Sequence, residues 1–211
     1  MFFSFKLSKQ RFSFSLALTK TTPTYLNESL FFAYMSSFAY EIKIPRERIA
    51  VLIGKNGEIK KKLETATGVN IKIDSKEGDV FIEGEDALQL YMIRDIIRAI
   101  SRGFNPEIAL LLLKQDYVFE LIDITRYVKE NHMLRIKGRI IGKEGKARKI
   151  IEELTGSFIS VYGKSICIIG ELESVRLCKR ALESLLQGAP HSVVYKWLEK
   201  RRKEMKSRMV L

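Results

Sequence analysis

The pattern that most restricts what this chain can fold into is a repeat of itself. Ile53-Gly54-Lys55-Asn56-Gly57 returns 88 positions later as Ile141-Gly142-Lys143-Glu144-Gly145. The match runs on at the same offset, with Thr67-Gly68 aligned to Thr155-Gly156, Ile71 to Ile159 and Ile73 to Val161. One Gly-x-x-Gly carries little weight, because two glycines at that spacing arise often by chance. Two copies, each followed by a helical pattern, a Thr-Gly stop and an alternating strand, mark a duplicated structural unit. The 211 residues then divide into two modules of roughly 75 residues each, plus ends.

Each glycine turn lies between two helical patterns. Glycine lets a backbone approach a ligand with no side chain in the way, and the helix that follows offers unpaired N–H groups at its start, where an anion is favoured. From Lys129 to Lys149 the chain carries eight basic residues against two acidic ones, Glu130 and Glu144. The net charge of +12 points to an acidic partner, nucleic acid before anionic membrane. That charge is uneven. Residues 36–114 hold 13 basic against 12 acidic residues, 115–190 hold 13 against 10, and 191–211 hold seven against two. The second module is therefore expected to be the stronger RNA binder.

In chain order, residues 36–103 read as β-α-α-β-β-α. Phe38–Ile44 alternates as a strand ended by Pro45, and 46–53 is a short helix. Ile59, Leu63 and Ala66 recur at i, i+4 and i+7 on the next helix, which Gly68 closes. Strands at 69–73 and 80–82 lead to a long helix from Glu85 to Arg102, with Leu88, Met92, Ile96 and Ala99 on one face. Residues 104–116 predict an inter-domain helix wedged between the modules, with Asn105 as N-cap and Pro106 at the first helical position. Residues 117–190 repeat the plan, with a longer helical region over 126–141 and a strand-to-strand turn, Gly163-Lys164, two residues shorter than its counterpart. Residues 191–211 form a basic terminal helix that carries Val193, Val194, Trp197 and Leu198 on one side, and docking on the second module is favoured over base stacking for Trp197.

Both loops, and the Thr-Gly endings behind them, resemble the KH domain in its type I order. More narrowly, RGFNPEIALLLL, ELIDI, RIKGRIIGKEGKARKIIEELTG and VYGKSICIIG resemble the archaeal KH-domain rRNA-processing proteins, homologues of the eukaryotic small-subunit assembly factor called partner of Nob. The likeness covers residues 38–205. It implies an α+β fold of two tandem type I KH domains, each a three-stranded sheet with helices on one face. It also implies a single-stranded RNA-binding protein acting near the 3′ end of small-subunit rRNA. The implied partners are the endonuclease that trims that end and translation initiation factor two alpha, and the implied location is cytoplasmic.

In KH domains a segment of about four nucleotides lies along a groove with the glycine loop on one wall. Carried onto this chain, the RNA-binding residues of the second module are Gly142, Lys143, Glu144, Gly145, Lys146, Arg148, Arg139, Ile141 and Ile159. Those of the first are Gly54, Lys55, Asn56, Gly57, Lys60 and Ile71. Ile141 and Ile159 are expected to line the groove under the bases. Lys60 and Arg148 stand where many KH domains have an aliphatic residue, which turns that wall towards charge. Glu144 is expected either to face solvent or to accept from a base donor such as cytosine N4. Eukaryotic relatives lack the first glycine loop, so whether the first module binds RNA or protein stays open here.

Other chemistry finds little support. The Walker phosphate loop needs four residues between its glycines and a following Lys-Ser/Thr, and both copies fail it. Cys167 and Cys178 have no metal spacing and read as small buried hydrophobes. His132 and His191 lack neighbours for a catalytic pair and read as surface residues, so no cofactor, metal site or catalytic constellation is assigned. No stretch reaches the ~18–20 apolar residues of a membrane span. A protein-binding adaptor and, last, an RNA-acting enzyme are the alternatives to RNA binding. Residues 1–35 are rich in Phe and Ser and hold no acid before Glu28. They admit three readings: an extension upstream of a start at Met35, an accessory strand pair, or a targeting segment.

Overall fold

The computed structural model describes residues 38–209, so the readings of residues 1–35 lie outside the described residues. The first module begins with β1 (Phe38–Lys43), α1 (Arg46–Ile53) and α2 (Glu58–Thr67). It continues through β2 (Asn70–Asp74), β3 (Asp79–Gly84) and α3 (Ala87–Ser101). The second repeats the order with β4 (Tyr117–Asp123), α5 (Met133–Ile141), α6 (Lys146–Thr155), β5 (Phe158–Tyr162), β6 (Ser165–Glu171) and α7 (Leu172–Leu186). Between them lies α4 (Pro106–Ala109), and α8 (His191–Met209) follows.

Both sheets are antiparallel and have the same strand order, β1-β3-β2 and β4-β6-β5. The returning strand sits in the middle because it pairs with both neighbours, which leaves β2 and β5 as edges. Register stacks β-branched residues on one face: Ile71 opposite Ile82, Ile73 opposite Val80, Ile159 opposite Ile168 and Val161 opposite Ile166. Those rows are covered by the helices of their own module. Ile71, Val80, Ile82, Ile166 and Ile168 are fully buried, each contributing about 1.5–3 kcal/mol through burial.

The two sheets differ in their other face. Cys167 and Ile169, with Phe119 and Leu121 beside them, join the core of the first module together with Phe104, Ala109 and Leu112. The expected wedge is therefore present, but as one helical turn tightened into a 3-10 turn over Leu110–Leu113. Asn105 stands at the N-cap without a side-chain hydrogen bond. Three local readings change. The region 126–141 is broken into short 3-10 turns at Ile124–Arg126 and Glu130–His132 before α5. On α3 Ile96 and Ala99 are buried as expected, together with Leu90, Ile93, Ile97 and Ile100, whereas Met92 is half-buried and Leu88 is 65% exposed. Ala66 is exposed and Thr67 is buried in its place.

Candidate nucleic-acid interface

The two glycine turns are superimposable in backbone conformation. Gly54 and Gly142 have φ/ψ of 73°/179° and 72°/175°, Asn56 and Glu144 both have 54°/26°, and Gly57 and Gly145 have 77°/13° and 76°/10°. The two glycines of each turn do different jobs. A Cβ on Gly142 would stand 2.6 Å from Ala147 Cβ and 2.8 Å from its backbone N, and one on Gly54 would stand 2.4 Å from Ile59 Cγ1. The first glycine lets the turn fold back onto its own helix. A Cβ on Gly57 or Gly145 would meet nothing within 4 Å. The second glycine leaves the space in front of the helix start open.

Lys55, Lys143, Lys146 and Lys149 are exposed around these turns. Glu144 is also exposed, 3.7 Å from Lys146 Nζ. The residue after the second glycine separates the copies. It is Glu58 in the first module, paired with Lys62 at 2.6 Å, and Lys146 in the second. An acid at the first helical position satisfies the positive end of the helix by itself. A lysine there leaves that end unneutralised.

Lys60 and Arg148 are each paired with a carboxylate that the sequence reading missed. Lys60 lies 3.6 Å from Glu64, and Arg148 lies 3.7 Å from Glu152. The same carboxylates accept from the edge strands: Ile71 N donates to Glu64 Oε1 at 3.0 Å and Ile159 N to Glu152 Oε1 at 2.7 Å. Each glutamate thus ties the helix behind the loop to the strand across from it. Glu64 and Glu152 stand at the repeat offset of 88, and that coincidence was the signal available in the sequence.

Three expected contacts need correcting. Ile71 and Ile159 are 0% and 3% exposed, because they point into the core beneath the helices. On that same face of each edge strand the half-buried residues are Ile73 and Val161, two positions further on. Ile141 remains half-buried just before the loop. Arg139 is committed elsewhere: its Nη2 donates to the carbonyls of Gly188 at 3.1 Å and Ala189 at 2.5 Å. His191 is no bare surface residue either, since its Nε2 lies 2.9 Å from Arg139 O. Together they pin the start of α8 to α5, and α8 then packs on α6 and α7 through Val194 and Leu198, with Trp197 half-buried beside them.

Both cysteines are buried, and loss of hydration pushes the thiols up to about 11 at Cys167 and about 12 at Cys178. Among the described residues no group of three or more His, Cys, Asp or Glu is placed to hold a metal ion. No helix among them is long and apolar enough to cross a membrane.

Two β-α-α-β-β-α modules, each with a glycine turn between its first two helices, define a tandem KH-domain protein of type I order. The family descriptions that match agree: "KH domain" over residues 39–99 and "Eukaryotic type KH-domain (KH-domain type I)" over 118–203. A KH domain-containing protein of Methanocaldococcus jannaschii is 51% identical over 170 residues, 78% of this chain and 74% of that protein. The crystal structure of Dim2p from Pyrococcus horikoshii is 44% identical, with a TM-score of 0.72 over 77% of this chain and 99% of that one. A second Pyrococcus horikoshii structure, a complex of a/eIF2alpha, aDim2p and rRNA, matches at 43% identity and a TM-score of 0.77, covering 82% of this chain and 99% of that one. The chain belongs to the archaeal Dim2p/PNO1 family of two-KH-domain proteins. Eukaryotic members are longer: the RNA-binding protein pno-1 of Caenorhabditis elegans is 29% identical, and 58% of its length is covered.

Proposed function

We propose that this chain is a non-catalytic single-stranded RNA-binding protein of small-subunit assembly, acting in the cytoplasm near the 3′ end of 16S-type rRNA. The second module holds the RNA. Lys143 and Lys146 meet its phosphates, the open face of Gly145 lets the backbone lie against the start of α6, and Ile141 and Val161 supply apolar surface for the bases. The observation that carries this reading is the contrast at one aligned position. The turns share a backbone, yet only the second has a lysine where the first has Glu58 at the helix start.

The test replaces Lys143 and Glu144 together by aspartate and measures binding to an oligonucleotide from the 3′ end of small-subunit rRNA. Binding should be abolished with an unchanged circular dichroism spectrum, and an unaltered dissociation constant would refute the reading. If about four phosphates are neutralised, log K should fall against log salt with a slope near −3.

The near-neutral first module supports a second role, docking a protein partner, and a relative has been solved with a/eIF2alpha and rRNA. The partners this reading names are translation initiation factor two alpha and the rRNA-trimming endonuclease. Co-purification that survives nuclease treatment supports that role, and loss of every partner on RNA removal rejects it.

A further inference from the structure

Helix α5 has a face of which the four-nucleotide groove uses only the last residue, Ile141. Met133, Ile136 and Ile140 point into the core, and Arg139 faces the α7–α8 connection on one flank. The opposite flank carries Leu134, Gly138 and Ile141 at i, i+4 and i+7, and it runs directly into Gly142. Leu134 is 84% exposed. Gly138 is exposed inside the helix, and a Cβ there would meet nothing within 4 Å. Glycine within a helix is destabilising relative to alanine, and nothing in the protein's own packing calls for it at this position.

Two further observations favour a nucleic-acid strand as what covers it. Arg135, next to Leu134, is exposed and makes no ion pair among the described residues. The start of α5 also lies where β5 turns into β6, since Glu130 pairs with Lys164 and Ile124 N donates to Lys164 O at 3.0 Å. That turn has only Gly163 and Lys164, against Ser75–Gly78 in the first module, so the wall of the groove stops short at this end. The aligned residues of the first module are Arg46, Ala50 and Ile53, which offer neither the exposed leucine nor the glycine.

We propose that the second module takes a longer single strand than the first: a base beyond the four-nucleotide groove packs on Leu134, the strand lies close against Gly138, and Arg135 meets its phosphate. This rests on the RNA-binding reading above and extends it.

The test compares a tetranucleotide and a heptanucleotide copied from the 3′ end of 16S-type rRNA, each titrated against the wild-type chain, Leu134→Asp and Gly138→Ala. The wild type should bind the heptanucleotide roughly fivefold or more tightly than the tetranucleotide, somewhat below the gain a base makes on an aromatic ring. Leu134→Asp should remove that gain and leave tetranucleotide binding unchanged. Gly138→Ala should also remove it while raising the melting temperature, a pairing that a purely structural glycine does not give. A gain that survives Leu134→Asp overturns the proposal. So does a variant that sheds a co-purifying protein with RNA binding intact, because the face then belongs to a protein contact. Binding of neither oligonucleotide by the wild type would instead sink the RNA-binding reading itself.

Discussion

Replacing Gly142 and Gly145 one at a time by alanine separates the structural from the functional half of the loop. At Gly142 the backbone has φ 72° and ψ 175°, a region open essentially to glycine and costing other residues about 1–3 kcal/mol. The new methyl would also stand 2.8 Å from Ala147 N, a backbone atom that cannot swing aside, and such overpacking adds about 1–3 kcal/mol. Gly142→Ala should therefore destabilise by about 3–5 kcal/mol, a large part of the ~5–15 kcal/mol that holds a typical domain folded. At Gly145 the backbone is left-handed and the space is empty, so alanine there costs only the conformational penalty of roughly 1–2 kcal/mol. Urea unfolding of both variants measures the difference, which should be about 1–4 kcal/mol at an unchanged denaturant slope. RNA titration should show the reverse emphasis. Gly145→Ala, still folded, loses affinity because its methyl occupies the path of the strand. Equal stability losses, or full RNA affinity in Gly145→Ala, would refute the division of labour assigned to the pair.

Three other outcomes follow from the same contacts. Glu152→Ala leaves Ile159 N and Arg148 without their partner, and should cost about 1–3 kcal/mol in chemical denaturation, whereas Glu152→Gln keeps an acceptor for Ile159 N and should cost less. Arg139→Ala should destabilise by about 1–3 kcal/mol by freeing the Gly188 and Ala189 carbonyls. It should leave the salt slope of RNA binding unchanged, whereas Lys143→Ala should make that slope shallower by about 0.7. The buried thiols, pushed up to about 11 and about 12 from an ordinary 9.0, should resist an aromatic disulfide reagent at pH 8 until urea unfolds the chain. The stability those neutral thiols contribute is complete below pH 9.0 and lost as pH climbs through the raised values. Labelling of either cysteine in the native protein would contradict their burial.

The repeat made the architecture legible, because strand order, loop placement and helix ends recur at a fixed offset and each copy checks the other. The Thr-Gly stops read well for a physical reason. Thr67 Oγ1 donates to Leu63 O at 2.7 Å and Thr155 Oγ1 to Ile151 O at 2.8 Å, so both hydroxyls are satisfied within their own helix and can be buried. That hidden satisfaction is also why Ala66 looked the better inward residue. On α3 the run LQLYMIRDIIRAI is apolar in more than one helical phase, and the choice between Leu88 and Leu90 depends on where the sheet lies, which local spacing does not carry. Arg139 and His191 stand 52 positions apart and meet only through the fold, so neither could be released from a surface or RNA-binding reading by sequence pattern. Ile71 and Ile159 share a strand face with Ile73 and Val161. Their depth, against Ile73 and Val161, is set by how far the helices overhang the strand.

The two copies share a backbone and diverge in what surrounds it, and the divergence points one way. The outer face of the first sheet carries ion pairs, Lys43 with Asp79 at 3.4 Å and Lys72 with Glu83 at 2.9 Å. The outer face of the second is packed against the first module. Its edge strand β5 is consequently gripped from both sides. Ser160 Oγ donates to Arg102 O at 2.8 Å and Tyr162 OH donates to Glu47, while from the other face Glu152 accepts from Ile159 N. An edge strand held this way has less freedom left to lose when a ligand lies along it, and less lost freedom means tighter binding for the same contacts. In the first module β2 has the Glu64 contact on its helix side but no module packed on its outer face. On the proposed RNA-binding reading, the grip on β5 and the Lys146-for-Glu58 exchange at the helix start act together, and both favour the second groove.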